Sequence, residues 1–290
     1  MKALFITNKV SGRGKFYKNI SDAEKLLKMK FDELETVIPD SVESFIKHVD
    51  NACIDNYDSI IFGGGDGTVN IVVSTVMKYE KKPKLGLIPL GTCNDVARNN
   101  NIPLNYKKAI ECIINNKTKY HDVSSINDRY FTYASAIGIG SACTYKAKQQ
   151  DKNRMGRLGY LGSILKEFLS KNVVKGKLII DGKEEAVDSS LIYILNTKEI
   201  GSVKFNPRAK LNTGMVELVL INRGKHYGRL NIIRFMLRRL FGIKKVPAKT
   251  YTLNNFILDV DGDWNIDGEK GPSGRAEIKV FHNAIEFYTK

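Results

Sequence analysis

Residues 63–67 read Gly-Gly-Gly-Asp-Gly, and Thr68, Val69 and Asn70 follow. Glycine reaches positive φ without strain and lets backbone N–H groups come close to a ligand. A helix that begins directly after such a turn adds partial positive charge, so an anion is favoured there. Four glycines in five positions exceed what a tight turn requires, and the loop reads as a phosphate cradle. It is not a P-loop, because no Lys-Ser or Lys-Thr pair follows, and it is not a GxGxxG fingerprint. Asp66 is then the anomaly. A carboxylate repels a polyphosphate unless it handles a metal or a proton. Phosphoryl transfer has that need, since a carboxylate there helps hold Mg²⁺ or accepts the proton of the attacking hydroxyl.

A second stretch has the same design. "KLGLIPL" runs into Gly91, Thr92, Asn94 and Asp95. A third, "NKVSGRGK", places Asn8, Ser11, Gly12, Arg13 and Lys15 after the first apolar run. Taken alone it is equally a basic, solvated turn.

These loops need elements to hold them. "KALFIT", "DSIIF" and "KLGLIPL" are short, β-rich apolar runs. Between them "YKNISDAEKLLKMK", "SVESFIKHVDNAC" and "TVNIVVSTVMKY" show helical periodicity. Strand alternating with helix predicts a parallel sheet covered on both faces, with its ligand crevice at the carboxyl ends of the strands. After about residue 120 the rhythm changes. "YFTYASAIGIG", "GKLIID", "SSLIYILNT", "MVELVLI", "NNFILDV" and "RAEIKVFHNAIEFYT" read as strands, broken by turn signals. The expected architecture is an α/β N-terminal domain over 1–120 with a parallel nucleotide-binding sheet. A mainly antiparallel β domain over 121–290, a sandwich or open barrel, follows it, and its last strands can return to the first domain.

The chain has 290 residues and a net charge of +15, with 42% hydrophobic and 27% charged residues. That is a globular composition with a strongly basic balance. Basic charge attracts nucleic acid, anionic membrane or polyanionic substrate. No nucleic-acid-binding motif accompanies it. No apolar run approaches the ~18 residues of a membrane span. Cys53, Cys93, Cys112 and Cys143 show no CxxC spacing, and the four histidines are scattered. Neither set reads as a zinc site or a disulfide framework, so reduced thiols and a cytoplasmic protein are expected.

Four motifs in order resemble the diacylglycerol kinase catalytic-domain family, which includes bacterial lipid kinases along with sphingosine and ceramide kinases. "NKVSGRGK" is similar to the family's N-terminal "NPxSGxG" loop, with Lys9 in place of proline. "GGGDGTVN" is similar to its nucleotide motif, "PLGTCNDVARN" to its "PLGTxNDxAR" motif, and Asp267-Gly268-Glu269 to its acidic C-terminal motif. The resemblance implies ATP and Mg²⁺. It implies nucleotide binding by Gly63, Gly64, Gly65, Asp66, Gly67, Thr68, Val69, Thr92 and Asn94, with Asn8 and Thr36 near the nucleotide. Glu269 becomes the proton acceptor, and Asp66 and Asp122 belong to the Mg²⁺ and phosphoryl site. Read from the residues alone, "DGE" is an ordinary hairpin turn.

One departure stands out. The bacterial lipid kinases carry an acidic segment that holds a structural Mg²⁺. Here the stretch is "KLNTGMVE", with Asn212 and Thr213 in the carboxylate positions, which leaves Met215 and Asp122 as the metal residues and erodes the site. Lys210 nearby can supply charge instead.

A lipid kinase without a span works at a surface. "YGRLNIIRFMLRRLFGIKK" mixes apolar residues with Arg229, Arg234, Arg238, Arg239, Lys244 and Lys245, a pattern suited to anionic headgroups. Arg234, Arg238 and Arg239 are expected to share a helix face. "RMGRLGYLGSILKEFLS" is a candidate lining for the acceptor cleft. The expected partners are a lipid substrate and the anionic inner face of the membrane, with a homodimer also open and no nucleic acid. Diacylglycerol is the first choice of acceptor, ahead of a sphingoid base or phosphatidylglycerol. An NAD kinase, which shares "GGDG", and a non-catalytic membrane-binding relative are the competing readings.

Overall fold

The computed structural model describes residues 1–9, 11–14, 16–141, 173–200, 203–204, 209–224, 228–241, 243 and 246–290. The "RMGRLGYLGSILKEFLS" segment, Lys15, Lys244 and Lys245 lie outside the described residues. The chain divides into two compact units. The first comprises 1–123, 211–213 and 282–290, and the second 124–210 and 214–281.

In the first unit the strands are β1 (Lys2–Thr7), β2 (Glu33–Val37), β3 (Ser59–Gly64) and β4 (Lys84–Pro89). They pair in parallel in the order β2-β1-β3-β4. The end of β17 (Ala276–Tyr288) adds to β4 through Phe287 and Leu85, again in parallel. β1, β3 and β4 are buried almost throughout, as continuous apolar runs in a parallel sheet must be. Helices α1 (Ile20–Leu27) and α5 (Tyr106–Ile114) pack on one another, and so do α2 (Val42–Ile54) and α3 (Asp66–Val76); α4 (Asp95–Asn99) is short. Ala3, Phe5, Ile61 and Ile88 share a core with Ala23, Leu27, Ile110 and Ile113. Ser41 caps α2 by accepting from the Ser44 N–H at 3.1 Å, and Asn105 caps α5 through the N–H groups of Lys107 and Lys108. Each cap contributes about 1 kcal/mol.

The second unit is antiparallel. It holds β6 (Arg129–Phe131), β7 (Ala134–Gly138), β8 (Val174–Ile180), β9 (Lys183–Leu195), β12 (Val216–Asn222), β13 (Ala248–Leu253), β14 (Phe256–Val260), β15 (Asp263–Ile266) and β16 (Glu269–Ser273). It also takes the end of β5 (Thr118–Ile126), the first half of β17, and the small pair β10 (Glu199–Ile200) and β11 (Val203–Lys204). β9 is the hub, pairing with β7, β8 and β12. Trp264, fully buried, centres a core with Phe131, Ile192, Leu218, Leu258 and Ile278.

Two expectations change. "YFTYASAIGIG" is not one strand. It breaks between β6 and β7 at Thr132 and Tyr133, whose N–H groups leave the ladder to bind the Asp267 carboxylate. Arg239 does not share a face with Arg234 and Arg238. On helix α6 (Arg229–Leu240) a step of five residues turns about 140°, and Arg239 pairs with Glu217 and lies 5.4 Å over the Phe235 ring.

Candidate active site

The glycine loop sits where the order β2-β1-β3-β4 reverses direction, between β1 and β3, which is the switch point of an open parallel sheet. β3 ends at Gly64, Gly65 is the N-cap, and Asp66 opens α3. The glycines do different work. A Cβ on Gly64 would lie 2.3 Å from the Thr68 hydroxyl, and one on Gly63 2.6 Å from that of Thr7. A Cβ on Gly65 would lie 2.9 Å from the Gly91 Cα, so the β3 and β4 turns touch backbone to backbone. A Cβ on Gly67 would meet nothing within 4 Å. Packing does not require glycine there, and the surface beside it is open.

Asp66 joins the two turns. Its Oδ1 accepts from the Val96 N–H at 3.0 Å, at the start of α4. Asn94, in the left-handed conformation at φ 53°, accepts from the Gly91 N–H through Oδ1 (2.8 Å) and donates to the Gly91 carbonyl through Nδ2 (2.7 Å). Asn94 therefore shapes the loop, while Thr92 is exposed at its tip. Val69 is corrected outright. Its side chain is fully buried with Val72, Val73 and Val76, and its N–H closes the first turn of α3 on Gly65.

A cavity of about 260 Å³ opens beside the loop, lined by Asn8, Pro39, Asp40, Ser41, Val42, Phe45, Thr68 and Ile71. It lies past the carboxyl ends of β1, β2 and β3, and it brings Asn8 and Thr68 together. Its wall from the α2 entrance, Pro39 to Phe45, was not among the expected residues. The "PDS" cap signal after β2 could have pointed to it. Thr36, on β2 opposite Phe5, is not in the lining, and its hydroxyl is buried without a hydrogen-bond partner.

Asp122 is fully buried on β5. Its Oδ1 accepts from the Asn283 N–H (2.8 Å), and its own N–H donates to the Leu211 carbonyl (2.8 Å). Beside it His121 is buried, with Nδ1 2.5 Å from the Asp122 carbonyl, and burial pushes its imidazole down to about 4. Asp122 thus ties β5 to β17 and to the 211–213 turn. That turn does not fit a structural Mg²⁺. Asn212, Thr213 and Met215 offer no carboxylate, and the Asn212 carbonyl lies 3.1 Å from His282 Nε2. Among the described residues no group of three His, Cys, Asp or Glu side chains could hold a metal.

In the second unit Asp267 and Gly268 form the two-residue turn between β15 and β16, both at positive φ (47° and 84°). Asp267 is 4% exposed, and its carboxylate accepts from Thr132 N–H (2.7 Å) and Oγ1 (3.0 Å), Tyr133 N–H (3.1 Å) and Ala134 N–H (3.1 Å). Burial pushes its carboxyl up, against the four donors that favour the ionised form. Asn265 Oδ1 accepts from the Gly268 N–H (2.9 Å), and Arg129 donates to the Lys270 carbonyl (2.6 Å). Glu269, exposed, stands between these braces. Sequence reading found the turn but not the buried nest, whose donors lie more than 130 residues upstream of Asp267.

Among the described residues no helix is long and apolar enough to cross a membrane. Residues 2–126 match the family model described as the diacylglycerol kinase catalytic domain. A diacylglycerol kinase of Staphylococcus aureus strain MRSA252 is 28% identical over 276 residues, covering 93% of this chain and 86% of its own. That of the bovine strain RF122 / ET3-1 is 27% identical over 273 residues with the same coverage. A crystal structure from Bacillus anthracis str. Sterne superposes with a TM-score of 0.84 over 100% of this chain and 97% of its own, at 22% identity, which speaks for the fold alone. The glycine loops and the switch-point geometry lie within residues 2–126, the stretch that matches the diacylglycerol kinase catalytic domain, and along most of its length the chain is similar to diacylglycerol kinases.

Proposed function

We propose that the chain transfers the γ-phosphoryl group of ATP to the free hydroxyl of diacylglycerol, giving phosphatidic acid. The observation that carries the phosphoryl-donor half is the Gly65–Gly91 apposition bridged by Asp66, with open space at Gly67. The choice of diacylglycerol leans on the names of the Staphylococcus relatives.

MgATP enters as substrate, its metal held mainly by phosphate oxygens. The N–H groups at the start of α3, together with the Gly67 surface, receive the phosphates. The cavity lined by Asn8, Val42, Phe45 and Ile71 offers apolar walls and polar edges suited to the nucleoside. Asp66 keeps one oxygen on Val96, and its other oxygen would help hold the Mg²⁺ that accompanies ATP, where the metal supplies charge stabilisation for the transfer. Thr92 touches the nucleotide from the second loop, and Asn94 and Asp122 act as positioning residues. Glu269 accepts the proton of the attacking hydroxyl as the new P–O bond forms and ADP leaves.

The test is label transfer from γ-³²P-ATP in parallel reactions with diacylglycerol, phosphatidylglycerol and sphingosine. Label in phosphatidic acid is the expected result. Label in one of the other lipids alone would overturn diacylglycerol as acceptor, and NADP formed from NAD would overturn the lipid reading.

A further inference from the structure

Helix α6 is apolar on two faces and, among the described residues, buries one of them. Ile232 and Phe235 are buried on the inner side, where Phe235 stacks on Tyr193 with ring centroids 6.4 Å apart. Arg239 is committed to the same side through Glu217. On the opposite side Leu230, Ile233, Leu237 and Phe241 recur at i, i+3, i+7 and i+11, which makes one stripe. They are 52%, 42%, 49% and 73% exposed, and Ile243 just beyond is 47% exposed. Arg234, exposed, borders the stripe, and Arg238 is half-exposed one turn further on. From Arg223 to Val246 the chain carries eight Lys and Arg and no Asp or Glu.

Exposed apolar side chains in a row, with Arg234 and Arg238 beside them, are not the surface of a helix that meets water alone. We propose that this face of α6 docks the protein on an anionic bilayer. Leu230, Ile233, Leu237 and Phe241 enter the headgroup–acyl boundary, while Arg234 and Arg238 lie among anionic headgroups. Charge complementarity decides the occupant. A second copy docked through the same stripe would set two acid-free basic segments against each other, whereas an anionic bilayer supplies apolar depth and opposite charge together. The proposal deepens the lipid-kinase reading and rests on it for the location of the acceptor.

The test is co-sedimentation of the full chain, without ATP, on phosphatidylcholine vesicles with and without phosphatidylserine. Thermal melting and size-exclusion light scattering control for folding and oligomeric state. Binding is expected only with the anionic lipid, falling as salt is added. Arg234→Gln with Arg238→Gln should weaken partitioning by about 30-fold, from about fivefold per near-surface charge. Leu237→Gln with Phe241→Gln should weaken it by tenfold or more. Arg239→Gln should lower stability and leave binding unchanged. The proposal is overturned if either double variant, folded as wild type, binds vesicles as tightly as wild type. It is equally overturned if Leu237→Gln with Phe241→Gln splits a dimer while vesicle binding stays intact. Since no turnover enters the assay, a protein that binds vesicles but labels no lipid would contradict the proposed acceptor and leave the docking face standing.

Discussion

In the first unit two turns are brought so close that a Cβ on Gly65 or Gly91 would lie 2.9 or 2.6 Å from the other's Cα. In the second, one buried carboxylate, Asp267, gathers four donors beneath a hairpin that carries Glu269. One place is set by missing side chains and the other by a side chain that cannot be spared. The difference follows from what each region would present under the proposed function. Loops that offer N–H groups to phosphate need bare backbone, and glycine with a helix start supplies it. A single carboxylate proposed for proton transfer would need a stiff mount, and fully satisfied buried hydrogen bonds supply one.

The largest effect should come from Asp66→Asn. The amide oxygen can still accept from Val96, so the loops stay joined and the melting temperature holds, while the charge is gone. Turnover should fall by about 10²-fold or more, as for loss of a group that acts only on the developing charge. Retention of most wild-type kcat in a label-transfer assay would remove Asp66 from the chemistry and leave it only the Val96 bond.

Asp267→Ala attacks the other mount. Three backbone N–H groups lose a buried acceptor, so unfolding by urea should show a loss of about 4 kcal/mol or more. A loss below about 1 kcal/mol would mean that the nest does not hold the hairpin.

Gly65→Ala and Gly67→Ala form a matched pair on one loop. The first drives a methyl group into Gly91 and should cost about 1–3 kcal/mol. The second meets open space in a helix, so stability should hold or rise by up to about 1 kcal/mol. MgATP affinity at Gly67→Ala should nevertheless fall by about tenfold, read by calorimetry. Unchanged affinity there would show that no ligand approaches Gly67.

A smaller effect lies in pH. His121 has its folded pKa pushed down to about 4 by burial, against 6.5 when exposed. Below 6.5 the unfolded chain takes up a proton that the folded chain refuses. Stability is therefore full above 6.5 and lost as pH falls toward 4, by up to about 3 kcal/mol. The slope of unfolding free energy over that window should be shallower in His121→Asn, and equal slopes would contradict the assignment.

Local signals were legible in sequence and long-range ones were not. The glycine loop, the α3 start and the "DG" turns depend on neighbouring residues, and the β1, β3 and β4 runs announce a sheet buried on both faces. Val69 falls inside a contiguous motif that reads as ligand-facing, yet its side chain is buried. Its spacing with Val72, Val73 and Val76 is that of a buried helix stripe, and it was readable. The Asp267 nest was not, because its donors lie on another strand and nothing in "DGE" names them. The i, i+4 and i+5 spacing groups Arg239 with Arg234 and Arg238, yet a five-residue step turns about 140° and so was readable as a different face, whereas the pairing of Arg239 with Glu217, on a distant strand, was not.

The central claim is that the first unit binds the nucleotide and Glu269 serves only the transfer step. Glu269→Gln tests it when MgATP affinity and label transfer to diacylglycerol are measured on one preparation. The account predicts wild-type MgATP affinity and melting temperature, with kcat lowered by about 10²-fold or more. A collapse of MgATP affinity in this variant, or turnover near wild type, would contradict it.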